Sequence, residues 1–296
     1  MSCDFVSVII PTFNRPHFIR QAIDSCFAQE EVRVQVIVVD DNGIGTKMQQ
    51  LVEEIVHPFM SRHNFKYLVH ETTKNGSAAR NTGIKAAEGE YVAFLDDDDW
   101  FEPLKLYKQV QSMRDEGSAA SLVGFRRVYD NCSVEGYPVF NDPSFDLLRV
   151  RVDTCAGSGL VVKRDLATEM NGFDESFIRL QDIEFLYRIS KLTKISVVPE
   201  VLLNVRMHNG NIGKKTYEKD VTSIEHFLKV FADDIEALPS NKRREVYNNQ
   251  YVEIAKGMIK HKKYFRAINM LCHTPNPIKN FRRVARAAWV FARKKS

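Results

Sequence analysis

Four consecutive carboxylates follow a run of apolar residues in the first half of the chain. The segment VAFLDDDDWFEP, residues 92–103, places Asp96, Asp97, Asp98 and Asp99 directly behind that run. Adjacent carboxylates repel one another, so four of them at the end of a buried strand must take up protons or bind a cation. Carboxylate oxygens suit a hard divalent ion such as Mg²⁺ or Mn²⁺, which often also binds phosphate. The cluster therefore predicts a metal–phosphate site.

A carboxylate in this position can also serve the helix that follows. Asp side chains accept hydrogen bonds from the free amides of a helix N-terminus and suit its dipole. Asp99 precedes the helical pattern of Leu104–Asp115 and is predicted to open that helix. Four carboxylates exceed what capping needs, so the other three are expected to face the cation.

The elements that must position this cluster alternate between strand and helix patterns. Strands are predicted at Phe5–Ile10, Val34–Val39, Phe65–His70 and Tyr91–Leu95, with helices at Arg15–Gln29, Thr46–Arg62, Ser77–Ala87 and Leu104–Asp115. Strands that are apolar almost throughout are typical of a parallel sheet covered on both faces. Repeated strand–helix units predict a doubly wound α/β fold.

Ligands of such sheets bind beyond the carboxyl ends of the strands. This rule selects Thr12 and Asn14 after the first strand, and Asp40 and Asp41 after the second. Together with the acidic cluster, these side chains are expected to converge on one edge of the sheet.

Several motifs occur together in one order. SVIIPTFNRPHFIRQAIDSCFAQ is followed by VIVVDD, by NGSAARNTGIKAAEGEYVAFLDDDDWFEP, and by NGFDESF with QDIEFLYRI. Over about residues 5–210 the chain resembles the family 2 glycosyltransferases. The resemblance implies a GT-A fold of the Rossmann-like α/β class. It also implies an inverting, metal-dependent transfer of one sugar from a nucleotide-diphosphate donor. The QxxRW signature of processive members is absent, which favours a single transfer.

The resemblance assigns roles to the strand-end residues. The acidic run corresponds to the DxD motif, in which Asp96 and Asp98 would hold Mn²⁺ or Mg²⁺ while Asp96 and Asp97 contact the donor. Four adjacent aspartates leave the register of the motif open by one residue within Asp96–Asp99. Asp40 or Asp41 would accept a hydrogen bond from a uracil-type base. The alternative for Asp40 and Asp41 is a strand-ending turn.

Further residues complete the implied donor site. Thr12 and Asn14 would contact the nucleoside of the donor. This nucleoside is expected to be uridine, because the family usually uses uridine donors. Arg80, within GSAARN, would bind the diphosphate, although an isolated Arg on a helix is more often solvated. In NVRMHNG, Arg206 would contact phosphate and His208 the metal or phosphate, on a loop that closes over the donor.

The resemblance places the catalytic base at Asp182, in QDIEFLYRI. An inverting transfer needs a carboxylate that removes the proton of the acceptor hydroxyl. N-capping of the helix is the alternative role for Asp182. Gln181 stands where the family usually has Glu. Asp174 and Glu175 of GFDE, and the segment GSGL at residues 157–160, correspond to the acceptor side.

The composition favours the cytoplasm. The five cysteines are odd in number and scattered, without a CxxC motif, which argues against a disulfide framework and against a zinc site. The opening residues predict no secretory leader. No apolar run approaches the roughly 20 residues that a membrane span needs.

The charge is distributed unevenly along the chain. Between Ile254 and Ser296 there are twelve Lys or Arg residues and no Asp or Glu, although the whole chain has a net charge of only +4. We predict a GT-A domain over residues 1–213 and a helical region over 214–296. The last helix, from Pro277, has apolar residues at helical spacing with arginines beside them. This pattern favours an anionic membrane surface at the cytoplasmic face, with docking on the core as the alternative.

The implied function is transfer of a sugar to a glycan or lipid-linked acceptor in cell-surface polysaccharide biosynthesis. Alternatives are an inactive nucleotide-sugar-binding protein and a sugar nucleotidyltransferase of related fold. A nucleotidyltransferase would need a Gly-rich basic loop after the first strand, where the chain has PTFNRP. Nucleic-acid binding is not expected, because no recognised module accompanies the basic tail.

Overall fold

The computed structural model describes residues 4–207, 217–261, 263–272, 274, 277–282 and 284–285. Its strands are β1 Phe5–Thr12, β2 Arg33–Asp40, β3 Phe65–Val69, β4 Tyr91–Phe94, β5 Trp100–Phe101, β6 Ala120–Val128, β7 Ser133–Gly136, β8 Val161–Lys163 and β9 Ile195–Arg206. Its helices are α1 Ile19–Phe27, α2 Lys47–Val56, α3 Gly76–Ala86, α4 Lys105–Asp115, α5 Pro143–Leu148, α6 Ala156–Gly159, α7 Arg164–Glu169, α8 Gln181–Leu192, α9 Tyr217–Val230, α10 Ala232–Glu236, α11 Ser240–Lys260 and α12 Tyr264–Cys272. A short 3₁₀ helix follows α2 at His57–Phe59.

The nine strands form one sheet in the order β3-β2-β1-β4-β8-β6-β9-β5, with β7 paired to β6. The first four are parallel, with Val8 opposite both Val36 and Ala93. The interiors of β1 and β2 are fully buried on both faces, as their apolar sequences predicted. Their carboxyl ends therefore meet at one edge of the sheet.

The second half of the sheet is mixed. β8 is antiparallel to both β4 and β6, whereas β6 and β9 are parallel. Trp100 and Phe101 form β5, which pairs with Asn204 and Leu203 of β9. The chain thus pairs once more with the sheet immediately after the acidic run, and α4 begins only at Lys105.

Helix α3 approaches β1 closely enough to exclude any side chain at residue 83. A Cβ on Gly83 would lie 2.3 Å from Cγ2 and 2.9 Å from Cγ1 of Ile9. The side chain of Asn75 caps the helix by accepting a hydrogen bond from the amide of Ala78 at 2.9 Å. Cap and close contact together fix the axial position of Arg80 relative to the strand ends.

The chain divides into two compact units, Met1–Phe140 with Val152–Asn211, and Asn141–Arg151 with Ile212–Ser296. The predicted boundary between residues 213 and 214 stays a prediction. It lies near the division between residues 211 and 212, while the segment 141–151, which includes α5, groups with the C-terminal helices. Within this second unit Arg149, at the C-cap of α5, pairs with Glu245 of α11 at 2.5 Å, and Lys242 pairs with Asp142 at 2.8 Å.

The core of the second unit includes the described part of the last helix. Residues 277–282 and 284–285 are helical. Val284 is 2% exposed and packs in a cluster with Val252 and Leu271, against which Phe281 also packs. For these apolar positions docking on the core is correct and a lipid-facing orientation is wrong, because the buried side chains of α11 and α12 already cover them. The remainder of that helix lies outside the described residues.

Candidate active site

The acidic run divides into one inward-facing carboxylate and three that lie together. Asp97 is fully buried and accepts a hydrogen bond from Oγ1 of Thr12 at 2.7 Å. Nη2 of Arg15 lies 2.7 Å from its Oδ1 in an ion pair, and Nη1 lies 2.8 Å from Oδ2 of Asp98. Burial raises the pKa of Asp97 to about 7, although Arg15 and Thr12 oppose the rise. Asp97 and Thr12 therefore bind each other, and their predicted donor contacts stay predictions.

The other three carboxylates can each place one oxygen within 4.8 Å of the others. They are Asp96, which is partly exposed, and Asp98 and Asp99, which are buried. Three carboxylate oxygens at this spacing suit a hard divalent cation, so the residues fit the predicted Mg²⁺ or Mn²⁺. The structure brings the predicted ligands Asp96 and Asp98 together, with Asp99 as an additional member, and their role as metal ligands stays a prediction.

The prediction that Asp99 opens the next helix is wrong. Leu104 occupies the N-cap of α4 without a side-chain hydrogen bond. Instead, Oδ2 of Asp99 accepts a hydrogen bond from Ser158 at 2.6 Å, and Oδ1 accepts one from the amide of Arg206 at 3.0 Å. The intervening strand β5 moves Asp99 away from the helix and toward β9. Burial and the neighbouring Asp96 and Asp98 raise the pKa of Asp99 well above its ordinary value.

Arg80 connects the acidic run to α8. Its Nη2 lies 2.6 Å from Oδ1 of Asp96, and its Nη1 donates to Oε1 of Gln181 at 3.2 Å. Gln181 in turn donates to the carbonyl of Phe177 at 2.9 Å. Nε of Arg80 is buried and has no hydrogen-bond partner in the part of the chain that the structure describes, so the guanidinium retains donor capacity. Gln181 thus orients Arg80. The sequence had shown only that residue 181 is Gln where the family usually has Glu, which left the role of this residue open.

Asp182 lies in the first turn of α8, next to the arginine. The helix begins at Gln181, with Leu180 as N-cap in the left-handed conformation at φ 62°, so Asp182 is not the capping residue. Burial raises the pKa of the Asp182 carboxyl, and Arg80 opposes this rise. A carboxylate with a raised pKa beside a cation is suited to accept a proton. The role of Asp182 as base stays a prediction.

Glu184 differs from Asp182 in its surroundings. Its carboxylate is 2% exposed and forms an ion pair with Arg188, whose Nε lies 2.5 Å from Oε1. Arg188 also donates to the carbonyls of Met170 and Gly172 at 2.9 and 2.6 Å. The Glu184–Arg188 pair therefore fixes the GFDE loop against α8 and does not face the acidic run.

Two neighbouring aspartates at the end of β2, Asp40 and Asp41, have different surroundings. Asp40 is fully buried, and its oxygens accept hydrogen bonds from the amide and side chain of Asn42 and from the hydroxyl of Tyr67 at 2.7 Å. Oδ1 of Asp41 contacts Nδ1 of His70 at 2.7 Å and accepts from the amide of Lys74 at 2.8 Å. Oδ2 of Asp41 accepts no hydrogen bond among the described residues. The geometry thus favours Asp41 over Asp40 as the predicted acceptor for a base.

The remaining predicted donor residues lie at this edge, except one. Asn14 has a left-handed backbone at φ 57°, and its amide donates to Oδ1 of Asn42 at 2.8 Å, which joins the first two strand ends. The guanidinium of Arg206 lies between the rings of Phe18 and Trp100, 4.9 Å from each centroid, and its Nε donates to the carbonyl of Asp98 at 3.3 Å. His208 lies outside the described residues.

Sequence reasoning assigned no role of their own to four side chains of this site. Arg15 stands one residue beyond the recognised Asn14, and only the tertiary structure shows that it neutralises Asp97 and Asp98. Ser158 lies within GSGL, where its hydroxyl accepts from the amide of Asp96 at 3.0 Å and donates to Asp99. His70, at the end of the third strand run, satisfies the strand-end rule and could have been found by it. The fourth is Gln181, which the departure from Glu already marked.

A model of the family described as Glycosyl transferase family 2 matches residues 7–166, more than half of the chain. The chain is 29% identical over 211 residues to the amylovoran biosynthesis glycosyltransferase AmsB of Erwinia amylovora, covering 68% of this chain and 69% of AmsB. It is 29% identical over 193 residues to WfgD of Escherichia coli, a UDP-Glc:alpha-D-GlcNAc-diphosphoundecaprenol beta-1,3-glucosyltransferase. This match covers 65% of this chain and 72% of WfgD. An uncharacterized glycosyltransferase of Rickettsia felis is 27% identical over 72% of this chain, which spans only 36% of that relative.

Solved structures share the fold at low sequence identity. Staphylococcus aureus TarS residues 1–349 in complex with UDP-GlcNAc superimposes with a TM-score of 0.59 at 19% identity, over 96% of this chain and 91% of that one. The mannosyltransferase PcManGT of Pyrobaculum calidifontis, in complex with GDP-Man and Mn²⁺, gives a TM-score of 0.59 at 16% identity. The superposition covers 96% of this chain and 79% of PcManGT. The predicted GT-A α/β fold with a helical C-terminal region is confirmed.

Proposed function

The chain belongs to glycosyl transferase family 2, as its motifs predicted, and we propose that it moves one sugar, with inversion, from a nucleotide-diphosphate donor to a hydroxyl of a glycan or lipid-linked acceptor. The pathway that we propose is cell-surface polysaccharide biosynthesis, and the name of AmsB, an amylovoran biosynthesis glycosyltransferase, supports it. WfgD acts by its name on a diphosphoundecaprenol-linked sugar with UDP-Glc, which supports a lipid-linked acceptor and a UDP-sugar donor for this chain.

The connection between the acidic run and α8 supports this proposal most directly. Arg80 pairs with Asp96 at 2.6 Å and opposes the burial-driven rise in the pKa of Asp182, so one guanidinium interacts with both the carboxylate cluster and the proposed base. A diphosphate at the cluster would then leave toward the arginine while the base faces the acceptor. An inverting displacement requires the leaving group and the base on opposite sides of the anomeric carbon.

In the proposed reaction Asp182 removes the acceptor proton as the hydroxyl oxygen forms a bond to the anomeric carbon. The bond between that carbon and the diphosphate oxygen breaks in the same displacement, and Arg80 donates hydrogen bonds to the departing phosphate. Asp96, Asp98 and Asp99 would hold the divalent cation, which when bound neutralises the charge on the leaving nucleoside diphosphate. His208 is proposed as a further ligand.

The nucleoside would lie across the first two strand ends. We propose that Oδ2 of Asp41 accepts a hydrogen bond from the base, since Oδ1 is held by His70 and Lys74. Thr12 and Asn14 would line the same edge, where the backbone of Asn14 is held by Asn42. Arg206 is proposed as a phosphate contact from its position between Phe18 and Trp100.

The test of this function combines donor binding with metal dependence. Asp98→Asn removes one charge from the carboxylate cluster, so we expect the affinity for UDP in the presence of Mn²⁺ to fall by about tenfold or more. Isothermal titration calorimetry of the full chain, with Mn²⁺ and with EDTA, measures this change. Asp165→Asn is the matched control, since Asp165 is 85% exposed in α7. Equal UDP affinity for Asp98→Asn and the unsubstituted protein would contradict the metal role of the cluster.

A further inference from the structure

A buried histidine lies behind the aspartate that is proposed to bind the base. Nδ1 of His70 lies 2.7 Å from Oδ1 of Asp41, and Nε2 of His70 lies 2.9 Å from Oγ1 of Thr82. The side chains of His70 and Asp41 are only 6% and 5% exposed. Both ring nitrogens thus have a partner, and the imidazole connects the end of β2 to helix α3.

The tautomer of the neutral ring follows from these partners. An ionised carboxylate only accepts hydrogen bonds, so Nδ1 of His70 carries the proton and donates to Asp41. Nε2 then accepts from the hydroxyl of Thr82, and this second hydrogen bond holds the orientation of the ring. Because the ring is buried, water does not compete for either hydrogen bond.

These contacts also hold the carboxylate of Asp41 in one orientation. Its Oδ1 accepts from Nδ1 of His70 and from the amide of Lys74 at 2.8 Å. A rotation of the carboxylate about its Cβ–Cγ bond would weaken both hydrogen bonds, so Oδ2 remains the oxygen that is available to a ligand. The amide of Asp41 donates to the carbonyl of Thr12 at 3.0 Å, which places Asp41 beside the end of β1.

A carboxylate oxygen that is fixed in this way discriminates between pyrimidine bases of the same size. Uracil has an N–H group at N3, whereas the N3 atom of cytosine is a hydrogen-bond acceptor. The carboxylate would accept a hydrogen bond from uracil. Against cytosine two acceptors would face each other without a proton between them, and such unpaired polar groups in a binding site weaken affinity.

We propose that His70 is a positioning residue that makes the base site selective for uridine over cytidine. It acts through Asp41, and Thr82 supports it. His70 contacts the base only through Asp41, since both of its ring nitrogens already have partners. This inference rests on the proposed function, because it requires that a nucleoside diphosphate binds at the strand ends, and it adds the residues that select the base.

Calorimetric binding of UDP, CDP and inorganic pyrophosphate to the full chain, each with Mn²⁺, tests this proposal. We expect the unsubstituted protein to bind UDP about tenfold or more tightly than CDP. His70→Ala should lower this ratio of affinities by about fivefold or more. The affinity for pyrophosphate, which has no base, should not change. His63→Ala is the matched control and should retain the ratio, since His63 is exposed in the turn before β3.

Two nearly isosteric variants separate positioning from packing. His70→Asn keeps an N–H group near the place of Nδ1, so it should recover most of the ratio that His70→Ala loses. Thr82→Val removes the hydroxyl but keeps the shape of the side chain, so it should lower the ratio by a smaller factor than His70→Ala does. Circular dichroism melting curves measure the stability of each variant.

Two outcomes would overturn the proposal and leave the proposed function standing. The first is a lowered melting temperature of His70→Ala with an unchanged ratio of UDP to CDP affinity, which would restrict His70 to packing β3 against α3. The second is equal affinity of the unsubstituted protein for UDP and CDP. If the unsubstituted protein bound neither UDP nor pyrophosphate in the presence of Mn²⁺, the proposed function itself would be contradicted, and this proposal with it.

Discussion

At the level of single residues, two carboxylates of α8 separated by one position have opposite surroundings. Glu184 is neutralised by Arg188 and holds a loop. Asp182 has no ion-pair partner at hydrogen-bond distance among the described residues, and burial raises its pKa. The environment, and not the residue type, therefore makes Asp182 the candidate base.

The first prediction concerns this pair. Asp182→Asn removes the proton acceptor, so we expect kcat to fall by about 10²–10⁴-fold while donor affinity stays close to that of the unsubstituted protein. Sugar transfer from a UDP-sugar and UDP binding by calorimetry measure the two effects. Glu184→Gln is the control and should lower stability with a much smaller loss of kcat, since it faces Arg188. A kcat for Asp182→Asn near the original value would reject the base assignment.

The second prediction concerns pH. The pKa of Asp182 is raised in the folded protein, so activity should fall as the pH drops through a value above the ordinary aspartate pKa of 3.8. Arg80 opposes the rise of that pKa. Replacing it by Arg80→Gln should therefore raise the pKa of Asp182 further and move the acidic limb of the profile of kcat against pH to higher pH. The profile is measured with saturating donor, because Arg80 is also proposed to bind phosphate. A limb that moves to lower pH in Arg80→Gln would contradict the coupling of the two residues.

At the level of elements, the site depends on how closely α3 approaches the sheet. Gly83 permits the helix to contact Ile9 directly, and this contact places Arg80 above the strand ends. Two other helices of the site, α6 and α8, start after residues in the left-handed conformation, Cys155 at φ 43° and Leu180 at φ 62°. Such conformations are unfavourable for non-glycine residues and are typical of functional sites.

The third prediction tests this packing. Gly83→Ala places a methyl group 2.3 Å from Cγ2 of Ile9, so we expect the free energy of unfolding to fall by about 1–3 kcal/mol. Ile9→Ala alone should lower it by about 2–5 kcal/mol by leaving a cavity. The double variant should be more stable than the sum of the two effects predicts, because the new methyl group fills part of that cavity. Strict additivity in urea unfolding would contradict the direct contact.

At the level of the whole molecule, the core of the first unit encloses a lysine. Lys105 is fully buried in α4. Its Nζ has no hydrogen-bond partner among the described residues and lies 3.9 Å from the centroid of the Phe101 ring. Burial lowers the pKa of Lys105 to about 7 from an ordinary 10.5. Burial also raises the pKa of the neighbouring Cys26 thiol. The stability of the molecule therefore depends on pH near neutrality.

The fourth prediction follows from the sign of the Lys105 shift. Above pH 7 the folded protein binds fewer protons than the unfolded chain, so the free energy of unfolding should rise between pH 7 and about 8.5, before Cys26 titrates in the unfolded chain. Below pH 7 Lys105 is protonated in both the folded and the unfolded chain, so the full free-energy cost of burying its ammonium group is present. Lys105→Met should raise the free energy of unfolding at pH 7 by about 1–4 kcal/mol and remove the rise.

Denaturant unfolding at several pH values measures this effect, and Lys108→Met is the control. Lys108 lies in the same helix but is about one-third exposed and pairs with Glu200, so its replacement should leave the pH dependence in place. An unchanged slope in Lys105→Met would show that another group titrates in this range.

Whether a helix could cross a membrane is also a question at the scale of the whole molecule. No helix among the described residues has the length and apolar character to cross a bilayer. The periodicity of the last helix is the same for a core-facing and a lipid-facing stripe.

The sequence by itself determined the alternating strands and helices as far as α4, apart from β5, together with the family, the GT-A fold and the strand-end residues of the candidate site. Local patterns suffice there, because a buried parallel strand is apolar throughout and ligands bind where such strands end. Only the tertiary structure decided which aspartates of the run lie together. Asp97 turns inward to Thr12 and Arg15, and β5 directs Asp99 toward Ser158 and Arg206. Contacts between residues 50–110 positions apart make that choice, and no local pattern contains them.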